Sequence, residues 1–260
     1  MLKGKNAVVT GSTSGIGLAI AHSLAEKGCS ILFNGFGDTK EIEKTQAEFR
    51  SVYKIKTDYS AADMTKPKQI EEMIKQSESK FGSVDVLVNN AGIQFIASID
   101  EFPDEKWDAI IAINLSAAFH ASKHALPGMK KRKFGRIINI ASVHGLIASP
   151  NKSAYVAAKH GVIGLTKAVA IENAYTSITC NAICPGWVKT SIVEMQIAKI
   201  SKEQNMSMAD AEAFLLVEGQ PTLRFISPKE IGDLVVFLAS DAAANMTGGA
   251  ITIDGAWTAH

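Results

Sequence analysis

Residues 141–159 read ASVHGLIASPNKSAYVAAK and hold a serine, a tyrosine and a lysine at spacings that suit one proton-transfer unit. Tyr155 and Lys159 are four apart, so on a helix they share a face, one turn from each other. A phenol has a free pKa of about 10, too high for a general base at neutral pH. A neighbouring ammonium favours the phenolate, and one pKa unit corresponds to about 1.4 kcal/mol. Ser142 follows an apolar run that reads as a strand, which brings its hydroxyl to the strand's carboxyl end, within reach of a reacting oxygen. The same stretch holds His144 and Lys152, which proton transfer does not need. Lys152 stands near a helix start, where a cation is slightly unfavourable, so another use for it is expected.

Those residues need a scaffold. Short β-rich runs alternate with helical patterns along the chain: NAVVT (6–10), SILFN (30–34), a weaker run near 54–63, VDVLVNN (84–90), GRIINIA (135–141), SITCNAIC (177–184) and AITID (250–254). Several are continuous apolar runs, as expected of parallel strands covered on both faces. Helical patterns start at Gly15, closing at Gly28 in the C′ role, and recur near 67–81 (closing at Gly82), 104–130, 153–173 and 228–239. This alternation predicts one α/β domain over 1–260, a doubly wound parallel sheet of seven strands (Rossmann type) with right-handed crossovers. Residues 188–226 break the rhythm with helix-like stretches at 190–203 and 207–218. A connection that long after a strand's carboxyl end is expected to be a helical substrate lid.

Composition excludes other classes. The 260 residues are 47% hydrophobic and 20% charged, and a formal net charge of +1 leaves no electrostatic footprint for nucleic acid. The one basic run, KKRK at 130–133, reads as a solvated helix end. Cys29, Cys180 and Cys184 lack metal spacing and are odd in number, which argues against a disulfide framework. The chain enters a strand almost at once, leaving no room for a signal peptide, and no apolar run reaches the roughly 18 residues of a membrane span. A cytoplasmic protein with no membrane partner and no bound metal is expected.

VVTGSTSGIG (8–17) runs from the first strand into the first helix, and Gly11, Gly15 and Gly17 let backbone N–H groups approach a pyrophosphate at the helix N-terminus. A glycine-rich turn alone is a weak signal, because any tight strand–helix turn favours glycine. It gains weight from the motifs that come after it in order along the chain: NNAG (89–92), Asn114, Ser142, YVAAK (155–159) and PG (185–186). Together these resemble the short-chain dehydrogenase/reductase family over essentially the whole chain. The resemblance implies that Tyr155 is the general acid/base, and that Asn114 kinks its helix and holds a water for proton relay. It also implies a nicotinamide cofactor held by Gly11, Thr13, Ser14, Gly15, Ile16, Gly17, Phe36, Asp63, Met64, Asn90, Ala91, Gly92, Tyr155, Lys159, Pro185, Gly186, Val188 and Thr190. Asp63 has a plainer reading as a helix-cap residue before Lys66 and Pro67. A 2′-phosphate needs a cation near the glycine turn or the second strand's end. STS (12–14) and NGFGD (34–38) offer none, so NAD is the expected cofactor. An acidic ribose clamp is missing where Phe36 stands, with Asp38 further along.

Gln94, His144, Lys152 and, on the lid, Gln196 form a polar donor set suited to a carboxylate, with Trp187 and Trp257 walling a small apolar space. Each has a plainer reading as a loop or surface residue. A closer resemblance, carried by GIQ (92–94), SVHGL (142–146), NKSAYVAAKHG (151–161), CPGWV (184–188), EMQI (194–197) and DGAWTAH (254–260), is to family members that convert (R)-3-hydroxybutyrate and NAD to acetoacetate and NADH. In them the four polar positions hold the substrate carboxylate. Two departures stand out. Val143 would tighten the alkyl pocket if it faced inward, and Ala256 replaces an expected glycine, so a positive φ there is expected to readjust. A reductase of 3-oxoacyl thioesters from the same family, and a catalytically inactive NAD-binding regulator, remain as alternatives. Family resemblance implies a homotetramer built through the helices near 104–130 and 153–173.

Overall fold

The computed structural model describes residues 2–217 and 219–259, the Ile192 side chain excepted. Strands β1 (Asn6–Val9), β2 (Ser30–Asn34), β3 (Thr57–Ser60), β4 (Val86–Asn89), β5 (Gly135–Ile140), β6 (Ile178–Pro185) and β7 (Ala250–Ile253) form one sheet in the order β3-β2-β1-β4-β5-β6-β7. Every neighbouring pair is parallel. β1, β2, β4, β5 and β6 are buried along their whole length, which is why they read as apolar runs without alternation.

Helices α1 (Gly15–Glu26), α2 (Thr39–Tyr53), α3 (Pro67–Phe81), α4 (Asp104–Ile111), α5 (Ala117–Arg132), α6 (Ser153–Glu172), α7 (Ser191–Glu203), α8 (Met208–Val217) and α9 (Pro228–Ala239) complete the fold. On one face, Ile20 and Leu24 of α1, Phe49 of α2 and Ile231 and Val235 of α9 pack on the sheet; on the other, Ile70 and Ile74 of α3, Ala121 and Met129 of α5 and Val169 of α6 do so. The chain leaves β1 and β4, adjacent in the sheet, toward opposite sides. This switch point is where ligands bind in open parallel sheets.

Several expectations change. The 104–130 pattern is two helices joined through one π-helical turn, Ala112–Ser116, with Asn114 at its centre. α2 has no counterpart among the expected helices, because it is mostly polar and buries only Ile42 and Phe49. Its start is marked by Asp38, whose carboxylate accepts from the Lys40 and Glu41 amides at 2.9 and 3.2 Å. Arg132 is not a solvated helix-end charge: its Nη2 donates to the Val84 carbonyl at 2.7 Å and its Nε lies 3.7 Å from Asp85. The second lid stretch was expected to reach 218, which lies outside the described residues; α8 is described to Val217.

Ala256 keeps a left-handed backbone, φ 74, directly after Gly255 at φ 57. An L-residue there costs roughly 1–2 kcal/mol, so the turn that presents Trp257 holds its shape against this strain instead of readjusting. Val143 is buried inside a short 3-10 turn and does not line the substrate cavity, so it does not narrow the alkyl pocket. Among the described residues no helix is long and apolar enough to cross a membrane.

Candidate active site

β5 ends at Ile140, and Ser142 caps the 3-10 turn Val143–Gly145 that comes next, its Oγ accepting the His144 amide at 3.2 Å. α6 crosses in front of this turn and presents Tyr155 and Lys159 on one face. The Ser142 hydroxyl hydrogen-bonds Tyr155. Lys159 is buried; its Nζ donates to the Ile140 carbonyl at 2.7 Å and lies 5.5 Å from the centre of the Tyr155 ring.

Desolvation dominates both titrations. Burial pushes the Tyr155 phenol up, against the Ser142 bond that favours ionisation. Burial pulls the Lys159 ammonium down to about 8. The Lys159 ammonium, bonded to a main-chain carbonyl and costly to keep charged in a dry site, is one of the two positive charges expected to favour the phenolate, the other being that of a bound nicotinamide. Asn114 sits in its π-turn with both ends of its amide engaged on Ile93, accepting from its N–H at 2.9 Å and donating to its carbonyl at 2.9 Å. It fixes the loop after β4.

A groove of about 420 Å³ opens along the glycine turn and holds Gly11, Thr13, Ser14, Gly15, Ile16, Gly17, Phe36, Asp63, Met64, Asn90, Ala91, Gly92 and Thr190 in its wall. Gly11 and Gly15 take φ +62 and +56, and a side chain on Gly17 would strike the Gly11 carbonyl and the Asn90 amide. Ser14, the N-cap of α1, makes no side-chain cap bond, and the first turn of α1 carries no acid. Its leading N–H groups are therefore free of side-chain caps, and the helix dipole favours an anion there. A dinucleotide's pyrophosphate fits this cradle. Asn90 braces it by donating to the Thr10 and Gly11 carbonyls at 2.9 and 3.0 Å.

Asn34, which sequence reasoning passed over, ties three strand exits together. Its Oδ1 accepts from the Gly11 amide at 3.3 Å, and its Nδ2 donates to the Ser60 and Ala62 carbonyls. The visible signal was an asparagine closing an apolar strand. Asp63 fits both of its readings: it lines the groove, and its Oδ1 accepts from the Thr65 amide and hydroxyl at 2.8 Å, bonds that hold its carboxyl below the usual range. Asp38 caps α2 through its Oδ1.

The groove adjoins a second cavity of about 480 Å³ through Ile16, Asn90, Gly92, Ile93 and Thr190. This one holds Ser142, Tyr155, Lys159, Pro185, Gly186 and Val188, and beside them Gln94, His144, Lys152, Trp187 and Trp257. The Trp187 and Trp257 rings lie 5.8 Å apart, His144 packs edge-on to Trp257 at 5.7 Å, and Lys152 Nζ stands 5.5 Å from the Trp187 ring. Gln196 is the exception. It is half-buried on α7 but is not in the cavity wall, where α7 contributes Val193 instead. Helical geometry puts residues three apart on neighbouring parts of a face, and here only the first reaches the cavity.

His144 is 5% exposed, with Nδ1 3.5 Å from Ser142 Oγ and Nε2 2.8 Å from Ser149 Oγ. Burial, reinforced by the positive charges of Lys152 and His160, lowers its pKa to about 4. The imidazole is neutral at physiological pH, so it serves the cavity as a hydrogen-bonding group and not as a cation. Because its pKa is lowered, the unfolded chain takes up this proton first. Stability from this group is therefore lost as pH falls from about 6.5 toward 4. Between about pH 5.5 and 7.5, the pH dependence of kcat/KM is expected to run parallel in wild type and His144→Asn. An inflection near 6.5 in the wild type that vanishes in the variant would contradict a neutral His144.

Comparison with known proteins bears on this geometry. The family model described as short chain dehydrogenase matches residues 5–201. The chain belongs to the short-chain dehydrogenase family. Two curated members of that family are similar along their full lengths. The D-beta-hydroxybutyrate dehydrogenase of Cupriavidus necator is 52% identical and covers 100% of both chains. The D-beta-hydroxybutyrate dehydrogenase of Rhizobium meliloti is 50% identical over 98% of this chain and 99% of its own. Among solved structures, the short-chain dehydrogenase fold seen here superposes on L-sorbose reductase from Gluconobacter frateurii, complexed with NADPH and L-sorbose. That match has a TM-score of 0.94 and 29% identity, and covers 100% of this chain and 98% of that one.

Proposed function

We propose that this short-chain dehydrogenase oxidises (R)-3-hydroxybutyrate reversibly to acetoacetate with NAD. One observation carries the reading: the Ser142–Tyr155–Lys159 unit shares a single cavity with Gln94, His144, Lys152 and the two tryptophans. A polar wall at that distance from a proton-transfer unit suits a short hydroxy acid. The similarity to two D-beta-hydroxybutyrate dehydrogenases supports the same substrate.

In this reading the C3 hydroxyl lies against Ser142 and Tyr155, and the carboxylate faces Lys152 and Gln94. A nicotinamide bound in the groove supplies the hydride acceptor. Ser142 donates to the reacting oxygen and keeps it in line, while Tyr155 takes the hydroxyl proton as the carbonyl forms. In the reverse direction Tyr155 returns that proton. Lys159, anchored on Ile140, holds a positive charge beneath the phenol. With its pKa brought down to about 8 by burial, it still carries that charge at neutral pH.

NAD over NADP is supported by charge. Phe36, 71% exposed, stands at the adenosine end of the groove, and Thr13 is tied to the Phe36 carbonyl at 2.9 Å. The α2 amides nearest that end are already capped by Asp38, and Glu41 lies just beyond. Residues 188–226 act as the lid: α7 and α8 pack on each other through Val193, Ile197, Leu215 and Leu216, with Trp187 against this cluster. Exposed Phe119 and an apolar cleft with Leu126, Pro127 and Leu165 between α5 and α6 support a homotetramer formed through those helices. Buried free thiols suit a cytoplasmic location.

The test is a steady-state comparison of (R)-3-hydroxybutyrate and a 3-oxoacyl thioester, each with both cofactors. Higher kcat/KM for the hydroxy acid with NAD is expected. Preference for thioester and NADPH would favour the reductase alternative, and no turnover of either would favour the inactive regulator.

A further inference from the structure

We infer that Gln220 is a positioning residue that sets where Trp187 and Trp257 stand, an inference that rests on the substrate-cavity reading above. Gln220 comes after α8 in the returning end of the lid. It is polar yet 0% exposed. Every polar group it has is engaged: Oε1 accepts the Trp187 N–H at 2.7 Å, Nε2 donates to the Arg224 carbonyl, its own N–H donates to the Leu216 carbonyl at 2.7 Å, and its carbonyl accepts from Leu223 at 2.7 Å.

Its surroundings are shaped to admit it. A Cβ on Gly186 would lie 2.6 Å from the Gln220 Oε1, and a Cβ on Gly255 would lie 2.6 Å from its Cγ. These two glycines belong to the exits of β6 and β7, the strands that lead to Trp187 and Trp257. The preceding residue, Gly219, lies under the other tryptophan, where a side chain would collide with the six-membered ring of Trp257. Further bonds clamp the same segment, from the Thr222 N–H to the Gly255 carbonyl at 3.2 Å and from the Ile226 N–H to the Trp187 carbonyl at 2.9 Å. The pair Gly219–Gln220 thus touches one tryptophan through its backbone and the other through its ring face. An apolar residue would fill this space without the desolvation cost of a buried amide. What the amide adds is a directed bond to the residue on which the cavity wall turns.

Gln220→Met keeps the length of the side chain and removes its donor and acceptor. The variant is expected to raise the KM for (R)-3-hydroxybutyrate about tenfold or more, with a much smaller change in kcat. NADH affinity in the binary complex should change less than about twofold, because Gln220 lies outside the dinucleotide groove. Tryptophan emission should also respond differently when acetoacetate binds the enzyme–NADH complex. A folded Gln220→Met enzyme with unchanged KM would overturn the inference, as would equal loss of NADH and substrate affinity, the signature of a merely structural role.

Gln220→Glu decides the matter if the first variant does not fold. A buried carboxyl is pushed up and stays protonated at neutral pH, and in that form it offers the same donor and acceptor. Its KM should be near wild type at neutral pH, and the ratio of variant to wild-type KM should climb as pH rises through the added ionisation, over and above the wild type's own pH dependence. A pH dependence identical to wild type would overturn the inference. Trp187→Ala and Trp257→Ala serve as controls. If they leave KM unchanged, the substrate-cavity reading itself fails; if they raise it while Gln220→Met does not, only the role of Gln220 fails.

Discussion

Tyr155→Phe is expected to lower kcat by roughly 10²–10⁴-fold, the range for loss of a positioned general acid/base. The substitution removes one oxygen and leaves the ring. Its packing on His144, with centroids 6.1 Å apart, and its position 5.5 Å from Lys159 Nζ should survive. NADH binding, measured by fluorescence in the binary complex, is therefore expected to be retained. The size of the loss reflects the site's dryness. With Lys159 bonded to the Ile140 carbonyl, the phenol is the group aligned with Ser142 to take the hydroxyl proton, and phenylalanine offers nothing in its place. Turnover within a few-fold of wild type would overturn the mechanism.

Lys152→Ala should act on the other end of the substrate. Loss of a charged hydrogen bond in a desolvated site costs roughly 1.5–3 kcal/mol, so kcat/KM for (R)-3-hydroxybutyrate is expected to fall about 10- to 150-fold, chiefly through KM. Lys152 lines the substrate cavity and not the dinucleotide groove, so NAD affinity should be nearly unchanged. Part of the loss will be packing, since its ammonium lies over the Trp187 ring at cation–π distance. Lys152→Gln separates the two contributions by keeping a hydrogen-bond donor without the charge. Equal loss for substrate and dinucleotide would make Lys152 a structural residue.

What could be read in the sequence was set by how local the physical signal is. α3 runs over Pro67–Phe81 and α9 over Pro228–Ala239, the ranges expected, because each opens on proline and carries a clear apolar stripe. α2 escaped because most of its surface faces solvent and its sharpest marker is the single Asp38 cap. The π-turn at Asn114 left no trace in the periodicity. Arg132 looked like one of four surplus cations, and only the fold brings it to Val84 and Asp85.

The candidate site divides the same way. Ser142, Tyr155, Lys159, His144 and Lys152 lie within one nineteen-residue stretch, and the structure gathers all five in one cavity. Gln196 is placed by motif, and the part of α7 that reaches the cavity wall is Val193, nearly one turn before it. Gln220 could not be found at all, since its partners Gly186, Trp187 and Gly255 are remote in sequence and come together only where two strand exits meet the lid. Ser149 and Asn34 were missed for the same reason: an isolated polar residue signals little until its neighbours are known.

The most direct measurement compares (R)-3-hydroxybutyrate with its methyl ester, following NADH absorbance under identical conditions. The ester keeps the hydroxyl, the carbon skeleton and the hand at C3, and replaces the charged carboxylate by a neutral group one methyl larger. If Lys152, Gln94 and neutral His144 grip a carboxylate beside Ser142 and Tyr155, the acid is turned over and the ester's kcat/KM falls by about 100-fold or more, on the scale of charged hydrogen bonds in a dry site. Equal turnover of acid and ester would contradict that claim.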